Sequence, residues 1–244
     1  MVRSLLALSW ILSSPFHLIA EDELTFSNTM EWDPKYLAYT RKVPKLLAAD
    51  WQQHISIALP PADDSAETRK ELAALLTLVP QRVEARSGVL AERDVNEFLL
   101  GGIRYGDLMN PGKYPATKAL LDAVYHDLGV VVFTLKQQYD RVRPSFLEPG
   151  LELLIPNPKH PAYPSGHSTC AHAFALVLGD LLPKRKDAMW KDAAGIAYRR
   201  EIAGVHYASD SAAGQMLAQE LHAALQQSPA YQQLFRQAQR EWKK

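Results

Sequence analysis

Two basic residues, Lys136 and Arg143, stand seven positions apart in the middle of the chain. At 3.6 residues per turn, this spacing predicts that both cations lie on one face of a helix. Pro144 is predicted to end that helix and to hold Arg143 in its last turn. Taken alone, such a pair is more often the solvated basic end of a helix, where the helix dipole also favours cations. It becomes a candidate anion site only together with other groups.

A second cluster combines a histidine with a carboxylate. His206 and Asp210 are four residues apart, which predicts that they stack on one helical face and form a hydrogen bond. A carboxylate on one imidazole nitrogen leaves the other nitrogen free to act as a base or a nucleophile. Arg200 precedes His206 by six residues, and Gly204 offers a break that could turn both side chains into one pocket. By itself, a His–Asp pair is more often a structural surface contact.

A third cluster, Pro164-Ser165-Gly166-His167, precedes a long apolar stretch and has the composition of a helix start. Ser165 is a good N-cap, and Gly166 allows a ligand to approach the backbone closely. Free N–H groups at a helix start, at the positive end of the dipole, form an anion site. A helix start does not require a histidine, so His167 indicates an acid at the rim of that site.

Together these clusters supply three cations, two histidines, one carboxylate and a set of backbone donors. A trianionic group suits this combination, and phosphate fits best because arginine forks and a lysine point charge match its oxygens. The common phosphate-loop and dinucleotide glycine motifs are absent from the sequence. The carboxylate cluster and histidine spacing that a catalytic metal needs are also absent, so we expect neither a metal nor a cofactor.

The order of these clusters resembles the tripartite signature of the type 2 phosphatidic acid phosphatase superfamily. The branch that the chain resembles most is that of the bacterial class A non-specific acid phosphatases. The resemblance covers roughly residues 57–240, and it departs from the family at Arg199, where the superfamily usually has Ser. A second cation there either adds to the pocket or faces solvent. The matching segments are Lys136-x6-Arg143-Pro144, Pro164-Ser165-Gly166-His167, Arg200-x5-His206-x3-Asp210, Leu59-Pro60-Pro61, Tyr163 and Pro229-Ala230-Tyr231-Gln232-Gln233.

The resemblance implies a phosphate monoester hydrolase that works through a phosphohistidine. His206 would attack phosphorus, Asp210 would orient its ring, and His167 would protonate the leaving alkoxide and then activate water. Because His167 must be protonated while His206 is neutral, we expect an acidic to mildly acidic optimum. Inorganic phosphate and vanadate are expected inhibitors. The implied phosphate-binding groups are Lys136, Arg143, Arg200 and the backbone N–H groups of Ser165 and Gly166.

Three other functions remain open from the sequence. A vanadate-dependent haloperoxidase shares this anion pocket, although the chain is short for that class. A lipid phosphate or diphosphate phosphatase is a second alternative, and a non-catalytic anion-binding module is a third. The leaving group is not specified by these motifs; residues 144–163 and the N-terminal extension are expected to form the specificity surface. A homo-oligomer is compatible with the resemblance, because family members commonly self-associate.

Three further side chains lie close to the motifs. Tyr139 is predicted to pack within its helix, and His172 is predicted to lie in the core, because a lone histidine usually has a structural role. His160 lies in the loop before the third cluster, where lining the entrance to the pocket and a purely structural role are equally expected. The only cysteine, Cys170, is expected to be a buried small hydrophobe, and no intramolecular disulfide can form.

The dominant hydrophobic period along the chain is helical. A further helix is predicted to begin near Asp64, with Glu67 as its capping partner, and to run to Val79. Sustained apolar–polar alternation is absent, and six prolines mark residues 144–164 as a long loop. We therefore predict an all-α, single-domain helical bundle. The periodic faces contain Leu121, Val124, Leu128, Val131, Val132 and Leu135; Phe174, Val177, Leu178, Leu181 and Leu182; Met216, Leu217, Leu221 and Leu225; and Leu72, Leu75, Leu76 and Val79.

The first residues have the order of an export signal. Arg3 is followed by an apolar run, Pro15 breaks that run, and Ala20 is a plausible cleavage point before an acidic stretch. A buried N-terminal helix is the alternative. We expect a periplasmic protein without a transmembrane segment in the mature chain, and 27 basic against 27 acidic residues argue against nucleic-acid binding. The predicted organisation is a signal peptide at 1–20, an N-terminal extension at 21–57 and the phosphatase domain at 58–244.

Overall fold

The computed structural model describes residues 24–99, 102 and 104–243, and these residues form helices joined by irregular segments. The predicted signal peptide lies outside the described residues. Within the described part, the only extended pairing is one isolated bridge between Thr25 and Arg141, which confirms the all-α prediction. The helices are α1 Phe26–Thr29, α2 Pro34–Leu37, α3 Ala66–Thr77, α4 Arg82–Ala91, α5 Val95–Leu99, α6 Pro115–Tyr139, α7 Pro144–Leu147, α8 Gly166–Leu181, α9 Lys186–Ile202, α10 Ala208–Gln227 and α11 Pro229–Glu241, with short 3-10 turns at Ala38–Arg41, Trp51–Gln53, Val79–Gln81, Gly106–Met109 and Pro183–Arg185.

The apolar helix α8 lies at the centre of the bundle. It packs against α9 and α10, and α6 packs against both α8 and α11. The predicted faces of α6 and α8 are buried as expected, whereas Met216 on α10 is about half exposed and does not belong to the core. No helix within the described residues is long and apolar enough to cross a membrane.

The start of α3 differs by one residue from the prediction. The N-cap is Ser65, whose hydroxyl accepts a hydrogen bond from Thr68 N at 3.1 Å, rather than Asp64. Ser65 is the N-cap because its backbone is extended, as a cap requires, and it directly precedes the first helical residue. Leu76 and Val79 are exposed, because the helix ends at Thr77 and its buried face carries only Leu72 and Leu75.

The end of α6 contradicts the prediction that Lys136 and Arg143 share one helical face. The helix stops at Tyr139, because Asp140 adopts a left-handed conformation with φ 44° and caps the helix through its N–H to Lys136 O. Aspartate tolerates this conformation better than most residues. Arg143 then has an extended backbone, and Pro144 begins the short helix α7 instead of ending α6.

The segment before α3 is anchored on α6. The buried carboxylate of Asp127 accepts hydrogen bonds from the N–H groups of Lys45, Leu46 and Leu47 at 2.7, 2.8 and 2.9 Å. Two residues further along α6, Gly129 leaves room for the Tyr39 ring, which a Cβ at that position would overlap. The segment therefore lies across the same helix that carries Lys136.

Candidate active site

Lys136 lies at the centre of the described structure with a fully buried side chain. Its ammonium group donates to the carbonyls of Pro161 and Ala162, at 2.6 and 2.8 Å. A lysine has three N–H donors, so one remains for another acceptor. Burial and the nearby Arg143 guanidinium hold the pKa of Lys136 well below its usual range.

Arg143 is also fully buried, and backbone carbonyls hold its guanidinium from two sides. Its Nε donates to His160 O at 3.0 Å, and its Nη1 donates to Val205 O, next to His206. Burial lowers the pKa of Arg143 to about 9. Backbone carbonyls of the proline-rich loop and of the loop after α9 thus hold Arg143 between the two loops. Its position depends on these carbonyls and not on its helical spacing from Lys136.

Arg200 is the third buried cation, 1% exposed near the end of α9. Its Nη2 donates to Val89 O at 3.1 Å and lies 3.7 Å from the Glu92 carboxylate. Its Nε has no hydrogen-bond partner within the described part of the chain, although it is buried. An unpaired buried donor on a cation is costly, so this nitrogen is suited to bind an anion.

Arg199 does not enter the pocket and is not simply solvated. Its guanidinium lies close to Gly88 and Gly195 and forms a forked pair with Glu92, with Nε at 2.8 and 2.9 Å from the two carboxylate oxygens. Glu92 is 2% exposed, so this arginine neutralises a buried charge. The cation that replaces the family Ser therefore joins the segment after α4 to α9.

His206 and Asp210 form the predicted hydrogen bond, with Nδ1 and Oδ2 2.9 Å apart. The predicted reason is wrong, because His206 precedes the helix and is not stacked on its face. Tyr207 is the N-cap of α10, and the Asp210 carboxylate reaches back to accept from Tyr207 N at 3.1 Å. This capping contact aims the same oxygen at His206. Gly204, with φ 79°, makes the predicted break after α9.

The helix start carrying His167 has the predicted cap, with one correction. The Ser165 hydroxyl accepts from Ser168 N at 3.4 Å, and α8 begins at Gly166. The Ser165 N–H donates to Asp210 O at 3.0 Å, so it is not available as the predicted anion donor. The Gly166 and His167 N–H groups precede the first helical hydrogen bond and remain donors at this end.

A hydrogen bond to the segment after α4 orients the His167 ring. Its Nε2 lies 2.7 Å from the Glu92 carbonyl, which can only accept, so Nε2 carries a proton and Nδ1 is left for the pocket. Burial, then the Arg200 cation, lower the pKa of His167 to about 3. Burial and the Arg143 and Lys136 cations also hold the pKa of His206 well below its usual range.

Two adjoining cavities meet at His160 and His167. A cavity of about 400 Å³ is lined by His206 and Arg200, and one of about 370 Å³ is lined by Lys136 and Gly166. The structure thus brings five predicted site residues to connected surfaces. Arg143, Ser165 and Asp210 line neither cavity. They form hydrogen bonds that fix the loops and side chains next to the cavities.

Formal charges do not balance in this centre. Five cations face four carboxylates, so cations outnumber carboxylates here. The overall chain has no net charge, so the excess is local. The cations are Lys136, Arg141, Arg143, Arg199 and Arg200, and the carboxylates are Glu71, Glu92, Glu201 and Asp210.

The side chains near the motifs have separate roles. His160 lines both cavities and accepts from Arg143 Nη2 at its Nδ1, at 3.1 Å. His172 lies in the core against Trp190, as predicted, whereas Tyr139 packs edge-on against Tyr163 of the loop before α8 rather than within its own helix. No group of three or more potential metal ligands occurs among the described residues.

Three residues of the centre, Arg141, Glu71 and Glu92, were not predicted. Arg141 pairs with Asp210, and the only signal was a second arginine two positions before Arg143, in a segment made extended by the following proline. Glu92 holds three site residues, but it stands in the polar run Ala91-Glu92-Arg93-Asp94, which is typical of a solvated surface.

Comparison with known proteins shows what this centre is similar to. Residues 120–232 match the family model of the PAP2 superfamily, and this range contains all three motifs. This part of the chain is similar to the PAP2 superfamily. The chain is 30% identical over 136 residues to a non-specific acid phosphatase of Providencia stuartii. The alignment covers 53% of this chain and 54% of that protein, so the chain spans about half the length of this relative.

Solved structures show the same PAP2 fold. A bacterial vanadium-dependent iodoperoxidase superposes with a TM-score of 0.60 at 16% identity, over 84% of this chain and 62% of the other. A transmembrane PAP2-type phosphatidylglycerolphosphate phosphatase of Bacillus subtilis superposes with a TM-score of 0.50 at 21% identity, over 67% and 87%. At these identities the PAP2 fold is shared, and the likeness does not extend to activity.

Proposed function

We propose that the protein is a metal-independent acid phosphatase that hydrolyses phosphate monoesters through a phosphohistidine at His206. The observation that carries the proposal is the excess of cations over carboxylates around His206, where the buried Arg200 Nε has no partner in the described structure. A bound phosphoryl dianion would neutralise the excess and satisfy that donor. The matched relative, a non-specific acid phosphatase, supports the same reaction class.

The first step transfers the phosphoryl group to the enzyme. Asp210 keeps the His206 proton on Nδ1, so the Nε2 lone pair attacks phosphorus and forms a P–N bond. The ester P–O bond breaks, and its electron pair leaves with the alkoxide, which takes a proton from His167. Lys136 and Arg200, which line the cavities, stabilise the charge on the equatorial oxygens, and the buried Arg143 adds positive charge from behind them.

The second step releases phosphate. His167, now neutral, removes a proton from water, and the water oxygen attacks phosphorus while the P–N bond breaks. The electron pair returns to His206 Nε2, and inorganic phosphate leaves. Because His167 lines both cavities, the leaving alcohol and the attacking water can reach it from the same side of the phosphoryl group.

The cavity beside Lys136 and Gly166 fits an apolar or aromatic leaving group. Tyr36 stacks on Phe133 with ring centroids 5.0 Å apart, and Tyr39 lies 5.4 Å from the same ring. These three rings line the cavity together with aliphatic side chains of α6. We expect aryl phosphates to have higher kcat/KM than small polar esters such as glycerol phosphate.

The decisive experiment is a phosphate-release screen with His206→Ala as the test variant. Monoesters, diphosphates and lipid phosphates are assayed with EDTA present. We expect monoester hydrolysis by the unmodified protein and a loss of about 10³-fold or more in the variant. His222→Ala is the matched control, because His222 forms a similar pair with Asp180, at 2.9 Å, outside both cavities.

The alternatives give different results in the same screen. Halide oxidation after vanadate loading, without phosphatase activity beforehand, would identify a haloperoxidase. Preference for lipid phosphates would identify a lipid phosphatase. Phosphate binding without turnover of any ester would identify a binding module and would contradict the proposal.

We also propose export to the periplasm through residues 1–20. The support is the order of charged, apolar and cleavage zones in the sequence. Amino-terminal sequencing of protein recovered from a periplasmic fraction should begin near Glu21. Recovery of the uncleaved chain from the cytoplasm would contradict the proposal.

A further inference from the structure

Arg141 lies behind the His206–Asp210 pair with its side chain only 1% exposed. Its Nη1 donates to Asp210 Oδ1 and to Ser209 Oγ, both at 2.7 Å. The guanidinium carbon lies 3.9 Å from the centroid of the Tyr207 ring. The guanidinium is thereby held on the side of the carboxylate that faces away from His206.

Glu71 of α3 holds the other end of the same guanidinium. Its Oε2 accepts from Arg141 Nη2 at 3.1 Å and from Ser209 Oγ at 2.9 Å. Its Oε1 accepts from Ser209 N at 2.6 Å, at the start of α10. A continuous chain of alternating charge therefore runs from Glu71 through Arg141 and Asp210 to His206.

The two oxygens of Asp210 have different partners. Oδ2 accepts from His206 Nδ1 and Tyr207 N, whereas Oδ1 accepts from the Arg141 cation. A carboxylate that also binds a guanidinium is a weaker acceptor toward its other partners, because the cation withdraws negative charge. Arg141 therefore limits how strongly Asp210 attracts the His206 proton, while the capping contact fixes the direction of that bond.

Other charged and titratable groups also surround His206: Lys136, His160, His167 and Arg200 line the cavities, whereas Arg143 and Glu201 do not. Arg141 and Glu71 differ because they lie behind Asp210. The groups on elements packed around the pair are Lys136 on α6, Arg143 before α7, His160 in the proline-rich loop, His167 on α8, Arg200 and Glu201 on α9, Asp210 on α10 and Glu71 on α3.

We propose that Arg141, held by Glu71, is a positioning residue that orients Asp210 and weakens its hydrogen bond to His206. The consequence is that the His206 Nε2 lone pair stays available in acid solution. This inference rests on the proposed function, in which His206 must be neutral to attack phosphorus. In that reaction, activity is lost as the pH falls through the pKa of His206, so a stronger Asp210 contact would move the acid limb to higher pH.

Two substitutions test the proposal because they should act in opposite directions. Arg141→Met removes the cation, so the Asp210 charge acts fully on His206. We expect the His206 Nδ1 proton resonance to move downfield and the acid limb of kcat/KM to rise by about one pH unit. Glu71→Gln frees Arg141 from its second carboxylate. We expect the resonance to move upfield and the acid limb not to rise.

The resonance is measured on protein labelled with ¹⁵N-histidine and needs no substrate. If the unmodified protein hydrolyses no ester, the proposed function fails and the resonance still tests the pair. Arg69→Met is the control, since Arg69 is an exposed α3 residue that donates to the nearby Asp64 carbonyl. Shifts in the same direction, or an unmoved resonance in folded Arg141→Met, would overturn the proposal. If Arg141→Met does not fold, Glu71→Gln decides: an upfield shift supports the proposal, and any other result overturns it.

Discussion

At the scale of single residues, the acceptor that each histidine faces decides which ring nitrogen is available for chemistry. Asp210 holds a proton on His206 Nδ1, and the Glu92 carbonyl holds one on His167 Nε2. The free nitrogens are then His206 Nε2 and His167 Nδ1. One ring is thus prepared to attack and the other to carry a second, transferable proton, although both belong to the same residue type.

The pH dependence of activity should show that a bound phosphoryl group raises the pKa of His167. In the protein itself, burial and the Arg200 cation lower the pKa of His167 to about 3. A bound dianion offsets the cations, so this pKa rises in the enzyme–substrate complex. Activity that needs protonated His167 falls as the pH rises through its pKa. We therefore expect the alkaline limb of kcat to lie at higher pH than that of kcat/KM.

Both profiles are measured with an aryl phosphate and corrected for the ionisation of the substrate. His167→Asn, which cannot supply a proton, should lose the alkaline limb of kcat. Coincident alkaline limbs in the unmodified protein would show that phosphoryl binding does not change the protonation of His167.

Arg199 should control phosphate affinity indirectly. In Arg199→Ser, the Glu92 carboxylate loses the arginine that pairs with both of its oxygens. Its negative charge is then neutralised mainly by Arg200, which lies 3.7 Å away. A more neutralised Arg200 binds anions less well, so we expect the dissociation constant of inorganic phosphate to rise about tenfold. Calorimetric titration with phosphate measures the effect. Lys191→Ser, an exposed change on the same helix, should bind as the unmodified protein does, and equal affinity in Arg199→Ser would contradict the prediction.

At the scale of elements, close contact between α8 and α10 aligns the two halves of the site. Gly214 on α10 faces the start of α8, and a Cβ there would lie 2.7 Å from Ser165 O and 2.8 Å from Ser168 Cβ. The same helix starts are joined by the hydrogen bond from Ser165 N to Asp210 O. Because Gly214 has no side chain, α10 can lie close to the start of α8. This close approach determines the distance between His167 and His206.

Gly214→Ala should separate these helices, because the backbone oxygen of Ser165 cannot move aside as a flexible side chain would. We expect the free energy of unfolding to fall by about 1–3 kcal/mol and kcat to fall by roughly tenfold or more. Urea denaturation and steady-state kinetics measure the two effects. Gly112→Ala, in an exposed loop next to the Asn110 side chain, is the control. A variant with unchanged kcat would show that the spacing of the helix starts is not critical.

At the scale of the whole molecule, the chain has equal numbers of acidic and basic residues but distributes them unequally. Its centre contains more cations than carboxylates, which destabilises the fold unless an anion binds there. The N-terminal segment, held to α6 through Asp127, closes this centre from outside. Anion binding at this centre should therefore increase the stability of the folded protein.

Inorganic phosphate should stabilise the folded protein. At a concentration 100-fold above its dissociation constant, a ligand that binds only the folded state adds about 2.7 kcal/mol, which for a chain of this size raises Tm by about 5–10 °C. Thermal unfolding in phosphate and in chloride of equal ionic strength measures the difference. Arg200→Met should lose most of the increase. A phosphate effect no larger than that of chloride would contradict a built anion site.

The sequence by itself determined the fold class and the identity of most pocket residues. Hydrophobic period reports which face of a helix is buried, and it was correct for α6 and α8. The order of three short motifs reports which side chains can share a site. The hydrophobic period and each motif taken singly are local signals, whereas the order of the motifs along residues 136–210 indicated a shared site only through the family resemblance.

Only the tertiary structure decided how these residues meet. Lys136 and Arg143 converge through loop carbonyls after a left-handed turn, not through helix spacing. Arg141 reaches Asp210 across 69 positions, and Arg199 reaches Glu92 across 107. No local pattern encodes such contacts, because a buried charge is neutralised by whichever partner the packing of helices brings near it.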